Sequence, residues 1–312
     1  MSNKAILLIF LLFLAFYSIA ITHRNNLDIP TYPYMDTPYE PLNVSPIKGV
    51  NPILSAADIP YPEIWFVADP FLFIENNHWY LFFEISDGVK GVIGLAESKD
   101  GIHWSYDGVI LEERFHLAYP YVFKWHGTYY MTPDNDKNQL RLYKAINFPY
   151  NWTLVSVLVS LPTIRDPTLF RWRGKWWAFL TTRCDDQLSI YYSDNLTDPS
   201  SWLPHEENPV RADAKRSRSA GRPIVRNNYI IRFVQDCDKD YGYMVRAMNI
   251  TLLNETDFSE YELSQSPILK GTGHGWNSYK MHTINPWWHN GKWFVVADGH
   301  NGTAWSIGMY IS

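Results

Sequence analysis

The sequence predicts an all-β protein, a five-bladed β-propeller with four-stranded blades. Three observations predict it. Aromatic residues make up 16% of the 312 residues, with 14 Trp and 21 Tyr, a composition that suits many short strands. A unit of apolar strand, tight turn and aromatic strand recurs about every fifty residues, the spacing of propeller blades. A short outer-strand motif recurs in step with it.

The first unit runs from Ala68-Asp69-Pro70-Phe71 through Asn76-Asn77 to Trp79-Tyr80-Leu81-Phe82. The second runs from Ala118-Tyr119-Pro120-Tyr121 through His126-Gly127 to Tyr129-Tyr130-Met131. The third runs from Arg165-Asp166-Pro167-Thr168 through Arg173-Gly174 to Trp176-Trp177. A degenerate fourth starts at Ser219-Ala220-Gly221-Arg222 and passes Asn227-Asn228 to Tyr229-Ile230-Ile231. The fifth runs from His282-Thr283-Ile284-Asn285 through Asn290-Gly291 to Trp293-Phe294. Apolar runs flanking an Asn/Gly turn are a hairpin signature.

The outer motif appears as Gly108-Val109-Ile110-Leu111, Val157-Leu158-Val159, Asn208-Pro209-Val210 and Ser266-Pro267-Ile268-Leu269. A fifth copy, Asn51-Pro52-Ile53-Leu54, precedes the first unit, and the last unit ends without one. The strand near Pro52 is therefore expected to complete the last blade beside Trp305–Tyr310, which removes an unpaired edge.

Lys4 precedes an uncharged run from Ala5 to Ile21. Residues 1–24 read as an uncleaved signal anchor in preference to a cleaved signal, with 25–49 a Pro-rich stalk and 50–312 the propeller. The chain after the anchor is then expected in the lumen of the secretory pathway, or secreted if the segment is cleaved. Sequons at Asn43, Asn151, Asn195, Asn249, Asn254 and Asn301 agree with glycosylation there. The 27 basic and 32 acidic residues give a net charge of −5 without a basic patch, so nucleic acid is not an expected partner. Two cysteines, Cys184 and Cys237, occupy equivalent places in neighbouring units and are a candidate disulfide in an oxidising compartment.

Inner strands of a propeller converge on one funnel, so Asp69, Tyr119, Asp166, Ser219, Arg222, His282 and Thr283 are expected around a shared pocket. Two carboxylates facing one funnel suit glycoside chemistry, in which one attacks or activates water while an acid releases the leaving group. An Asp-Pro pair also serves as a plain turn device. Arg222 suits a bidentate clamp on a phosphate or carboxylate, or a structural pair with Asp236 or Asp69. No cofactor is expected, and no ligand spacing marks a metal site.

The units resemble the arabinanase, levansucrase and invertase superfamily of five-bladed glycoside hydrolases. That resemblance implies a base or nucleophile at Asp69 and a transition-state stabiliser at Asp166, within Arg165-Asp166-Pro167. It also implies a Glu acid in blade four, where this chain has Ser219-Ala220-Gly221-Arg222. Asp236 is the nearest substitute acid by sequence. Residues 50–312 more closely resemble the N-terminal domain of glucosamine inositolphosphorylceramide transferases, through Phe66–Phe73, Ala118–Phe123, Arg165–Phe170, Gln235-Asp236-Cys237, Tyr241-Gly242-Tyr243 and His282–Asn285. This resemblance implies a Golgi-type setting, a glycan or glycolipid ligand and a separate glycosyltransferase as partner. It does not carry the transferase activity itself. The readings that follow are a carbohydrate-active domain using Asp69, Asp166 and Asp236, a non-catalytic glycan-binding module, or a protein-interaction propeller.

Overall fold

A computed structural model describes residues 42–61, 63–183, 186–226 and 228–312. The expected anchor lies outside the described residues, as do most of the stalk and Cys184 with its pairing to Cys237. Among the described residues no helix is long and apolar enough to cross a membrane.

The chain forms five antiparallel sheets in sequence order, a five-bladed propeller. A short strand β1 (Ser45–Pro46) comes first. Blade one holds β2 (Phe66–Glu75), β3 (His78–Ser86), β4 (Gly91–Ser98) and β5 (Ser105–Leu111). Blade two holds β6 (Leu117–Trp125), β7 (Thr128–Asn135), β8 (Gln139–Asn147) and β9 (Asn151–Ser160). Blade three holds β10 (Arg165–Trp172), β11 (Lys175–Thr182), β12 (Gln187–Ser193) and a split outer edge, β13 (Leu203–Pro204) and β14 (Arg211–Ala212). Blade four holds β15 (Ile224–Arg226), β16 (Tyr229–Asp236), β17 (Met244–Leu253) and the split edge β18 (Phe258–Glu262) and β19 (Leu269–Lys270). Blade five holds β20 (Ile284–His289), β21 (Lys292–His300) and β22 (Trp305–Ile311), with β1 paired to β22.

Burial follows position in the blade. The innermost strand β2 is buried along nearly its whole length, so it reads as a continuous apolar run. The outer strand β5 alternates exposed and half-buried residues, the pattern of a strand with one wet face. Four inner hairpins turn through two residues with positive φ: Asn76-Asn77, His126-Gly127, Arg173-Gly174 and Asn290-Gly291. That backbone twist matches the strands it joins. Blade four is irregular because Gly221 sits so close to blade five that a Cβ there would lie 1.7 Å from the Ile284 carbonyl oxygen. Only glycine fits, and its φ of 135° also demands it.

The residue before the outer-motif proline plays one part three times. Asn208 brackets Ile190 on β12, accepting its N–H and donating to its carbonyl, both at 2.7 Å. Ser266 brackets Ala247 on β17 in the same way, at 2.9 and 3.2 Å. Asn51 brackets Met309 on β22 at 2.7 and 2.8 Å, and Leu54 bridges Ile307. Leu42 is buried and Ser45–Pro46 pairs with β22, so residues the sequence assigned to a stalk pack on blade five. Pro is tolerated there because an edge strand needs no donor on its outer side. Asn51→Ala removes both bonds and is expected to cost about 1–3 kcal/mol, lowering the thermal midpoint by several degrees. An unchanged midpoint would show that this seam does not hold the ring together. Of the sequon residues, Asn43, Asn151, Asn195 and Asn301 are exposed, and Asn249 and Asn254 half-buried.

Candidate functional site

The site grows from a repeated defect at the start of the inner strands. Pairing slips between Ala68 and Phe71, between Ala118 and Tyr121, and between Arg165 and Thr168. In each slip the residue before proline has left-handed backbone: Asp69 at φ 51°, Tyr119 at 47° and Asp166 at 46°. A bulge re-aims the side chain, and the following Pro leaves no amide hydrogen to be stranded by the broken ladder. Left-handed backbone costs a non-glycine residue about 1–2 kcal/mol, and such strain concentrates at functional sites.

Two of these bulges, and the matching start of blade four at Ser219, are held by the previous blade. Asp298, near the end of β21, accepts the Asp69 amide at 3.0 Å. Asp134, near the end of β7, accepts the Asp166 amide at 3.3 Å. Thr181, on β11, accepts the Ser219 amide at 3.3 Å. The side chains thus form a polar belt around the propeller axis.

Asp69 sits in one half of the belt. Its Oδ1 accepts the Thr283 hydroxyl at 2.6 Å and stands 3.8 Å from His282 Nε2. His282 Nδ1 bonds Asp298 Oδ1 at 2.8 Å, and its ring stacks on Trp305 with centroids 4.1 Å apart. The ligand atoms of Asp69, His282 and Asp298 lie within 4.8 Å of one another, a spacing a metal ion accepts. The donor set argues otherwise. Asp298 Oδ1 already accepts His282 Nδ1 and the amides of His282 and Thr283, while Oδ2 accepts the Asp69 amide. Asp298 is therefore the acceptor that fixes both the His282 ring and the Asp69 amide, while His282 and Asp69 meet only across 3.8 Å.

Asp166 sits in the other half. Its Oδ2 accepts Arg218 Nε at 2.6 Å and Gln235 Nε2 at 2.7 Å. Arg218 lies over the Tyr241 ring at 4.8 Å. Three buried atoms beside Asp166 make no hydrogen bond among the described residues: Asp134 Oδ1, Ser219 Oγ and Gln235 Oε1. Buried polar atoms are costly unless paired, so this side of the funnel suits a ligand rich in hydroxyls.

Burial pushes the Asp69 carboxyl up to about 6, against the pull of His282 and with the push of Asp166 and Asp298. Burial also raises Glu84 and Asp134 well above the carboxylate range. Burial lowers His282, but Asp298 and Asp69 prevail and its value is raised. All four groups bind protons more tightly folded than unfolded. Their protonation favours the fold, so stability falls as pH rises. Asp69 contributes this loss between 3.8 and about 6, and His282 adds to it above 6.5. Burial lowers His116, His289 and His300, which act in the opposite sense. The wild-type thermal midpoint is therefore expected to fall relative to that of Asp69→Asn as pH rises through that range; a constant difference would contradict the Asp69 shift.

Residues 37–300 match the family described as glucosamine inositolphosphorylceramide transferase 1, N-terminal. The chain belongs to that family. A relative in Oryza sativa subsp. japonica, named glucosamine inositolphosphorylceramide transferase 1, is 36% identical over 275 residues. The match covers 82% of this chain and 36% of the relative, so the chain spans about a third of the curated protein's length. Among solved structures, the β-1,2-mannobiose phosphorylase from Listeria innocua has a TM-score of 0.65 at 13% identity, covering 86% of this chain and 96% of that one. An α-L-arabinofuranosidase from Podospora anserina has a TM-score of 0.63 at 13% identity, covering 81% and 92%. At that identity the likeness is one of fold.

In this member of the transferase N-terminal family, the belt brings together Asp69, Asp166, Ser219, His282 and Thr283 from the expected set. Arg165 lies on the rim, with Nη1 bonded to Asn138 and 3.8 Å from Asp134. Two expectations, for Arg222 and Asp236, are corrected. Arg222 is 1% exposed, donating to the Val122 carbonyl at 2.6 Å and lying over Tyr121 and Trp287. It joins blade four to blades two and five, and Arg218 is the cation at Asp166. Tyr119 is fully buried, its ring against Phe71 and its hydroxyl on Thr168, within electrostatic reach of Asp166 and Asp69. Asp236 pairs with Arg246 at 2.8 Å, away from the belt. Strand alternation explains it: Gln235 faces Asp166, so the next residue faces the other way.

Sequence reading missed Glu84, Asp134, Asp298 and Gln235 as site residues. A signal existed. Glu84, Asp134, Thr181 and Asp298 each stand five places after the aromatic that opens the second strand, at Trp79, Tyr129, Trp176 and Trp293.

Proposed function

We propose that this chain is a membrane-anchored, luminal carbohydrate-active domain that processes a glycan or glycolipid of the glycosyl inositolphosphorylceramide type. One observation carries the reading: Asp69 and Asp166 both stand in strained backbone at inner-strand starts, each held by a carboxylate of the preceding blade. Asp69, with a value of about 6, suits a general base that takes a proton from an attacking hydroxyl. Asp166, fixed by Arg218 and Gln235, suits a residue that orients sugar hydroxyls. The name of the rice relative supports a glycolipid, and the two carbohydrate-active neighbours share the propeller. The apolar run Ala5–Ile21 supports the anchor, and the sequons support a secretory, Golgi-like setting with a separate glycosyltransferase as partner.

The test is the full-length protein in detergent against a panel of glycans and glycosyl inositolphosphorylceramides, read by mass spectrometry. Turnover lost in both Asp69→Asn and Asp166→Asn supports the proposal. A second reading, a glycan-binding module, is favoured by Gln235 and Ser219, which place no acid at the blade-four wall. Saturable binding without turnover, weakened by Asp134→Asn, would select it.

A further inference from the structure

We propose that Glu84 is the proton donor of the axial site, an assignment that rests on the catalytic reading above. Cleavage with a base at Asp69 needs an acid that keeps its proton near neutral pH. Blade four offers none, since Gln235 and Ser219 are not acids and Asp236 is turned to Arg246.

Glu84 lies on β3 opposite Ala68, next to the Asp69 bulge. It is 5% exposed, and Asp69 is 6% exposed. Gly91 makes room for it, for a Cβ there would lie 2.7 Å from Glu84 Oε1 and 2.8 Å from His116 Cε1. His116 sets the hydrogen-bonding pattern. Its Nδ1 accepts the Gly91 amide at 2.8 Å, so the ring proton sits on Nε2, 3.4 Å from Glu84 Oε1. A neutral imidazole then faces one carboxyl oxygen, and the other carries the acid proton.

The charges around Glu84 point the same way. Asp69 on β2, Asp134 on β7, Asp166 on β10 and Asp298 on β21 all oppose its ionisation. The nearby cations Arg165 and Arg218 stand against Asp134 and Asp166. Asp69, by contrast, has the Thr283 hydroxyl at 2.6 Å and His282 beside it to hold its charge. Burial first, and these carboxylates second, raise Glu84 well above the usual range, while burial lowers His116. Two neighbouring carboxyls with environments that push them apart divide the roles of acid and base.

The step balances. The bond from the anomeric carbon to the leaving oxygen breaks with its electron pair on oxygen, which takes the Glu84 proton. The hydroxyl of water or of an acceptor sugar bonds to the anomeric carbon and gives its proton to Asp69. Exchange through solvent returns that proton to Glu84.

The experiment compares 4-methylumbelliferyl and 2,4-dinitrophenyl glycosides of a panel of sugars, using the full-length protein. Glu84→Gln is expected to lose about 10²–10⁴-fold on the methylumbelliferyl substrate. Its loss on the dinitrophenyl substrate, whose phenolate leaves without a proton, is expected to be about tenfold or less. Asp69→Asn should lose both. Glu84→Asp, which keeps the acid on a shorter stem, should fall between wild type and Glu84→Gln on the methylumbelliferyl substrate. In carboxyl 13C spectra the wild type should show a Glu signal titrating well above the others, absent from Glu84→Gln. Equal losses on both substrates, no loss, or no such signal would overturn the donor and leave the Asp69–Asp166 reading standing. Wild-type protein inert toward both substrates would overturn both.

Discussion

Asp69→Asn is expected to remove activity and add stability in one change. The loss of turnover should reach about 10²–10⁴-fold, the usual scale for a positioned base. The stability gain follows from the proton. Asp69 titrates at about 6 when folded against 3.8 ordinarily, so bearing its charge at neutral pH costs the fold on the order of 3 kcal/mol. Part of that returns through His282, so a net gain of about 1–2 kcal/mol is expected. Asn keeps the acceptor for Thr283 and tolerates left-handed backbone well. Sign and window are both testable by denaturant unfolding. The gain should be full above about pH 6 and absent below about 3.8. A variant less stable than wild type at both ends would contradict this electrostatic picture.

Arg218→Ala is expected to be the most damaging single change at the site. Arg218 is 7% exposed and Asp166 2%, with Nε and Oδ2 2.6 Å apart. Removing one partner of a buried pair leaves a charge without its counterion, which costs about 3–5 kcal/mol. Stacking on Tyr241 is lost as well. The combination Arg218→Met with Asp166→Asn should recover much of that loss, because no unpaired charge remains. Chemical denaturation of the two variants checks both. Equal stability of Arg218→Ala and wild type would mean that the pair contributes nothing.

The fold was legible because its signals are local. Strand periodicity, hairpin turns at Asn76-Asn77 or Asn290-Gly291 and the outer Asn/Ser-Pro motif each depend on a few adjacent residues. The positions of Asp69 and Asp166 were legible too, since the bulge recurs in register at an Xaa-Pro pair. What supports them was not. Asp298 holds Asp69 from 229 residues away, and Arg218 reaches Asp166 from 52 away, so no local pattern announces either contact. Blade four shows the limit most sharply. One position along β16 decides whether Gln235 or Asp236 faces the axis, and the degenerate start at Gly221 hides that register. Arg222 was misplaced for a related reason: sequence put it at the mouth of an inner strand, whereas its guanidinium is buried on the Val122 carbonyl of blade two, 100 residues away.

The central claim is that a sugar binds on the propeller axis between the Asp69 and Asp166 halves of the belt. The most direct measurement is a crystal structure of the Asp69→Asn protein with a bound glycan or glycolipid headgroup. The account predicts the anomeric carbon between residue 69 and Glu84, with ring hydroxyls on Asp166 and on Asp134, Ser219 or Gln235. A sugar seated on the outer faces of the blades, with the belt untouched, would contradict it.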